Sequence, residues 1–177
     1  MDVPAVPGLL PVLDRLEAMQ GAKVPSSDSL HITLKFIGEA DAAIIPSLSQ
    51  SMDLSVSDIA PFTMTLRSIG CFPDDSRPRV VWAGVEDGGI LKKISDRLEE
   101  ETSALGIEAE KRGFRPHLTL ARLRQPFPGM MKNFDDLSGV ELGTVNVADV
   151  KLKSSLLTPS GPRHSVIHTS RLNEVNK

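Results

Sequence analysis

The sequence predicts an α+β fold of two pseudo-symmetric lobes, each a mainly antiparallel sheet with helices outside and a cleft between them. Three observations lead there. His31-Ile32-Thr33-Leu34 returns as His117-Leu118-Thr119-Leu120, 86 positions later in a chain of 177 residues. The flanks of the two copies repeat in the same order of helix, motif, helix and two strands. Turn-rich clusters separate the paired strands, as hairpins require. An offset near half the chain is far longer than a solenoid period, so it marks a duplication into two lobes.

Each element follows from local pattern. Leu9, Val12, Leu13, Leu16 and Met19 recur at helical spacing, with Pro11 near the start and Gly21 as the stop. Leu91, Ile94, Leu98 and Leu105 do the same in the second half, and Gly106 ends that helix. Leu30 to Ile37 alternates as a strand. Leu30, Ile32, Leu34 and Phe36 share one face, and His31, Thr33 and Lys35 share the other. In the second copy Leu118 and Leu120 oppose His117 and Thr119. A short helix follows each motif, near Pro46 to Met52 and near Pro128 to Leu137.

Two strands then close each half: Phe62 to Ile69 and Val80 to Val85, then Thr144 to Leu152 and Ser165 to Thr169. Pro73-Asp74-Asp75-Ser76 and Pro159-Ser160-Gly161 are the hairpin loops between them. Pro78-Arg79 returns as Pro162-Arg163, 84 positions on. The repeat also predicts a strand before Leu9 to match Val80 to Val85. The chain begins Met1-Asp2-Val3-Pro4, so that strand is expected to be missing or cut short. The expected organisation is one bilobal domain over 1–177, with repeats at roughly 1–85 and 86–177.

Composition excludes several classes. Apolar content of 40% and charged content of 24% are those of a globular protein. No apolar stretch approaches the roughly 18 residues of a membrane span, and no secretory signal opens the chain. Cys71 is the single cysteine, which fits a reducing cytosol and reads as small core filler. The expectation is a cytoplasmic monomer with no membrane partner. Net charge is −3, but Lys111, Arg112, Arg115, Arg122, Arg124 and Lys132 fall in a window without an acid. A basic rim around His117 suits an anionic ligand.

The x of one residue in each His-x-Thr has a physical reason. Positions i and i+2 of a strand project together, so each histidine shares a face with its threonine. Two such pairs facing across a cleft equip a site for proton transfer on a phosphate without a metal. Imidazole serves as acid or base near neutrality, because its unperturbed pKa is about 6.5. Threonine hydroxyls can donate to the phosphate oxygens on which charge builds.

With these motifs the chain resembles the two-histidine phosphoesterases, specifically the LigT-like RNA 2′,3′-cyclic phosphodiesterases, once named 2′-5′ RNA ligases. The resemblance covers nearly the whole chain. It rests on Leu30-His31-Ile32-Thr33-Leu34-Lys35-Phe36-Ile37-Gly38-Glu39 and on Pro116-His117-Leu118-Thr119-Leu120-Ala121-Arg122. Pro78-Arg79-Val80-Val81-Trp82-Ala83-Gly84 and Ser155-Leu156-Leu157-Thr158-Pro159-Ser160-Gly161-Pro162 add to it. The family's opening strand, of the type Arg-x-Phe-Ile-Ala, is absent here, in keeping with the gap inferred from the repeat.

The resemblance implies metal-independent hydrolysis of RNA 2′,3′-cyclic phosphate ends to 2′-phosphomonoesters. His31 would be the proton donor to the leaving 3′ oxygen, and His117 the proton acceptor from water, with Thr33 and Thr119 beside them. It also implies that Arg122 contacts the substrate phosphate. Strand parity places Arg122 on the Leu118 face, so a bulge or the strand's end must bring it round. Lys35, which has the right parity, together with Phe36 and Arg115, completes the candidate substrate contacts. No cofactor is expected, and the partner is RNA or a nucleotide bearing a cyclic phosphate.

Two other readings share these residues. The reverse reaction would join RNA ends through 2′-5′ bonds, and a non-catalytic RNA- or nucleotide-binding module would need only the basic rim. His164 and His168 have a metal-ligand spacing for a helix, but their segment reads as a strand without a carboxylate cluster, so no metal is expected. Trp82 and Phe72 can stack on a base or pack in the core.

Overall fold

A computed structural model describes residues 1–125, 128–158 and 161–173. Ten elements carry the fold: α1 (Leu10–Glu17), β1 (Ala22–Lys23), α2 (Ile45–Val56), β2 (Phe62–Phe72), β3 (Val80–Glu86), α3 (Ile90–Ser103), β4 (His117–Leu123), β5 (Glu141–Val147), β6 (Asp149–Thr158) and β7 (Gly161–Arg171). The helix expected near Leu137 is a 3-10 stretch, Met130–Leu137. The hairpin loop expected at Pro159-Ser160 lies outside the described residues.

The strands form two antiparallel sheets, consistent with the expected α+β, two-lobed class. Five strands run in the order β1-β4-β3-β2-β5, and β6 pairs with β7. The larger sheet draws on both halves of the sequence, since β3 pairs with β4. One apolar core joins the layers. Val12, Leu13 and Leu16 of α1 and Leu91, Ile94 and Leu98 of α3 are buried, as are Leu118 and Leu120 under the second motif. Burying one such leucine stabilises the fold by roughly 1.5–3 kcal/mol.

The helix ends follow their residues. Asp87 caps α3 by accepting from the backbone N–H groups of Gly89 and Leu91. Gly106 stops α3 with φ of +79°, a region that favours glycine. By contrast, α1 ends earlier than expected, at Glu17 with Ala18 as its cap, and Gly21 (φ +83°) lies in the turn that leads to β1.

Two strand expectations are corrected. The run Thr144 to Leu152 is not one strand. It breaks at Ala148, with β5 in the large sheet and β6 in the small one. An unbroken alternation carries no sign of a change of sheet.

Leu30 to Ile37 is not a laddered strand either. An antiparallel bridge joins His31 to Asp2, flanked by Val3 N–H to Leu30 O and Ile32 N–H to Met1 O. Met1–Val3 thus stand where the repeat called for a strand, and Met1 and Val3 are buried. Beyond this short pairing the segment finds other partners, as Leu34 O accepts from Ser95 Oγ of α3 at 2.8 Å. Cys71 is only half-buried, facing Val81 in the β2–β3 ladder.

Candidate active site

The two histidines are held alike. His31 Nδ1 lies 2.7 Å from Ser29 O, and His117 Nδ1 lies 2.7 Å from Arg115 O. A carbonyl only accepts, so each Nδ1 carries its hydrogen and donates. That fixes the tautomer and leaves each Nε2 as the atom that gains or loses a proton. Each bond spans two residues, the same local geometry in both copies of the repeat.

His31 is half-buried, and burial pushes its pKa below the ordinary histidine value. The Ser29 carbonyl works against that shift, whereas the Met1 amino group, Lys153 and His164 add to it. The first-motif leucines behave as expected: Leu30 and Ile32 are 1% exposed and Leu34 is 7% exposed. Phe36 does not follow them. It is 66% exposed, so the face shared with Leu34 ends before it, and its ring is free to meet a ligand.

Lys35 is a second correction. Its ammonium binds Glu99 Oε2 at 2.7 Å and Glu108 O at 2.8 Å, and its side chain is 3% exposed. Glu99 Oε2 also accepts from the Glu110 N–H at 3.2 Å. Lys35 therefore pins the loop after α3 to the first motif instead of presenting its charge to a phosphate.

In the second motif the parity problem of Arg122 is solved by a bulge. Val81 pairs with Ala121 but Trp82 pairs with Thr119, so Leu120 is an extra residue in β4. Leu118, Leu120 and Ala121 are all buried, and Arg122 emerges exposed on the side of His117 and Thr119. Arg115 is exposed as well, and its backbone carbonyl is what holds His117.

Phe72 stands edge-on to His117 at 5.1 Å between ring centroids and lies 5.1 Å from Trp82. Trp82 rests against Gly70, its partner across the β2–β3 ladder. Its Nε1 is buried without a hydrogen-bond partner among the described residues. These two rings back the second motif.

A groove of about 660 Å³ opens beside the first motif, lined by His31, Thr33, Phe36, Met52, Lys153 and His164 among others. His117 and Thr119 are not among its lining residues. Lys153 and His164 are neighbours of His31 that strand patterns did not single out as site residues. The repeat held the available signal. Pro162-Arg163-His164 mirrors Pro78-Arg79-Val80, and Val80 sits on the strand beside that of His117.

His164 and His168 do not act as a pair. His164 stands edge-on to His31, whereas His168 Nε2 lies 2.9 Å from Asp53 Oδ1 of α2. Among the described residues no group of three or more His, Cys, Asp and Glu is arranged to hold a metal. No helix among them is long and apolar enough to cross a membrane.

Comparison with known proteins agrees with this architecture. The profile of the 2′-5′ RNA ligase superfamily matches residues 10–135. The RNA 2′,3′-cyclic phosphodiesterase of Aeropyrum pernix is 36% identical over 149 residues, 82% of this chain and 84% of that protein. That of Archaeoglobus fulgidus is 34% identical over 152 residues, 86% of this chain and 85% of that protein.

Among solved structures, TT0787 of Thermus thermophilus superposes with a TM-score of 0.79 at 29% identity, covering 93% of this chain and 89% of that one. Escherichia coli LigT, crystallised with 3′-AMP, shares the fold with a TM-score of 0.77 at 23% identity over 94% of this chain and 90% of its own. The chain belongs to the 2′-5′ RNA ligase superfamily, as a LigT-like member of the two-histidine phosphoesterases.

Proposed function

We propose that this protein hydrolyses RNA 2′,3′-cyclic phosphate ends to 2′-phosphomonoesters, with His31 as proton donor and His117 as proton acceptor. Water attacks phosphorus as His117 Nε2 takes its proton. The P–O3′ bond breaks as His31 Nε2 gives its proton to the departing 3′ oxygen. General acid–base help of this kind contributes roughly 10²- to 10⁴-fold. Thr33 and Thr119 donate to the non-bridging oxygens, and Arg122 holds the phosphate by charge. Phe36 and Arg115 contact the rest of the nucleotide.

One observation carries the reading. Both imidazoles are tied through Nδ1 to a carbonyl, at 2.7 Å in each case, so the two motifs present the same proton-exchanging atom. The activity named for the archaeal relatives supports the same reaction. The reading takes residues 1–177 as one bilobal unit of two repeats, roughly 1–85 and 86–177, acting as a cytoplasmic monomer. The family's ligase name keeps the reverse reaction in view. With water at about 55 M, hydrolysis dominates unless the site is dry and a second RNA end is held.

The test is incubation with a 2′,3′-cyclic nucleotide and with an RNA ending in a cyclic phosphate, in the presence of chelator. A 2′-phosphate product with undiminished turnover is expected. A 3′-phosphate product, or activity abolished by chelation, contradicts the scheme, and joined RNA ends favour ligation.

A further inference from the structure

We propose that His164 is a positioning residue for His31: it stands edge-on to that ring at the groove wall, and its charge governs how readily His31 holds a proton. The geometry is specific. The two ring centroids are 5.5 Å apart with planes inclined at 62°. His164 is carried by β7, where it pairs with Ser155 of β6, and both histidines line the same groove.

Among the described residues, the other charged groups around His31 come from two elements. The N-terminal segment brings the Met1 amino group and Asp2, and β6 brings Lys153. Asp2 is paired with Lys151 and Lys153, and no hydrogen bond or ion pair joins it to His164 among the described residues. Histidine changes charge between pH 5 and 8. Burial lowers the pKa of the Met1 amino group to about 6, so its charge also changes in this pH range. That group is common to parent and variants, and a difference between them reports the residue at position 164.

The consequence follows from Coulomb's law. Two like charges at this separation, partly screened by solvent, disfavour each other by the equivalent of roughly half a pH unit or more. A proton placed on His31 beside a charged His164 is held less firmly and is given up more readily. That favours an acid whose task is to protonate a leaving oxygen, and this consequence rests on the proposed role of His31. The contact itself does not.

The experiment separates the two. The His31 ring protons of the full chain are followed by NMR through a pH titration, in the parent protein, in H164F and in H164K. H164F keeps a flat ring without a charge, and the His31 midpoint is expected to rise by roughly half a unit. H164K restores a positive charge, and the midpoint is expected to stay at or below the parent value. An unchanged midpoint in H164F overturns the proposal. An equal rise in both variants also overturns it, since packing and not charge would then be at work. Rates with a 2′,3′-cyclic nucleotide are measured in parallel. If the midpoint moves and the pH–rate profile does not, the coupling stands and the acid role of His31 fails.

Discussion

Arg122 shares a face of β4 with Thr119 although the two are three residues apart, because Leu120 is bulged between them. A regular strand would send positions i and i+3 to opposite faces. The extra residue doubles the buried side at Leu120 and Ala121 and puts Arg122 on the face of the strand that carries His117. A basic group is thereby delivered beside the second motif without lengthening the strand's polar face.

If that guanidinium holds the phosphate, Arg122→Ala removes a charge-assisted contact worth roughly 1.5–3 kcal/mol. The expected result is a fall in kcat/KM of about ten- to a hundredfold, carried mainly by KM. Arg122→Lys should recover part of it. Steady-state kinetics on a 2′,3′-cyclic nucleotide check this, and an unchanged KM removes the assigned role.

The pH dependence has a definite sign. Burial first, and then nearby positive charge, hold His31 below the ordinary histidine pKa. Between that lowered value and about 6.5 the unfolded chain binds more protons than the folded one, so stability declines as pH falls through the window. His31→Ala removes this loss. The difference in Tm, variant minus parent, should be more positive at pH 5 than at pH 8. Thermal melts at the two pH values check it, and a pH-independent difference contradicts it.

Lys35 should behave as a structural residue. Its side chain is 3% exposed and that of Glu99 is 25% exposed. Lys35→Met strands a partly buried carboxylate, at a cost of about 1–3 kcal/mol after allowing for the solvent that still reaches Glu99. A lower denaturation midpoint with KM unchanged is expected. A raised KM at full stability would return Lys35 to the substrate.

Gly70 should tolerate no side chain. A Cβ there would overlap the six-membered ring of Trp82, the ring that Phe72 also touches on its way to His117. Gly70→Ala is expected to cost about 1–3 kcal/mol through this overlap. The variant should also lower kcat, because the ring stack backs His117. Denaturant melts and kinetics on the one variant test both halves.

Much of this molecule was legible in the sequence. Period two at His31 and Thr33, and again at His117 and Thr119, identified the motifs. Helical spacing placed α1 and α3 to within a few residues. At Arg122 strand parity asked for a bulge or for the strand's end, and β4 has the bulge. What was not legible depends on partners distant in sequence. Nothing near Ala148 announces the change of sheet, because both sheets ask for the same alternation.

The engagement of Lys35 needs Glu99 from another element, and alternation cannot tell a buried ion pair from a phosphate contact. Phe36 fits the apolar pattern but lies where the buried face has ended. His164 drew notice for its spacing from His168, whereas its actual neighbour is His31, on a segment more than a hundred positions earlier. A fold of antiparallel strands from both halves of the chain hides such contacts from any local reading.

The central claim is that the two imidazoles work on a single phosphorus atom. The measurement that tests it most directly is a crystal structure of the protein with a nucleoside 2′-phosphate bound. The account predicts Nε2 of His31 and Nε2 of His117 each within hydrogen-bond distance of oxygens on the same phosphate. A phosphate bound by one histidine, with the other turned toward separate solvent, would contradict it.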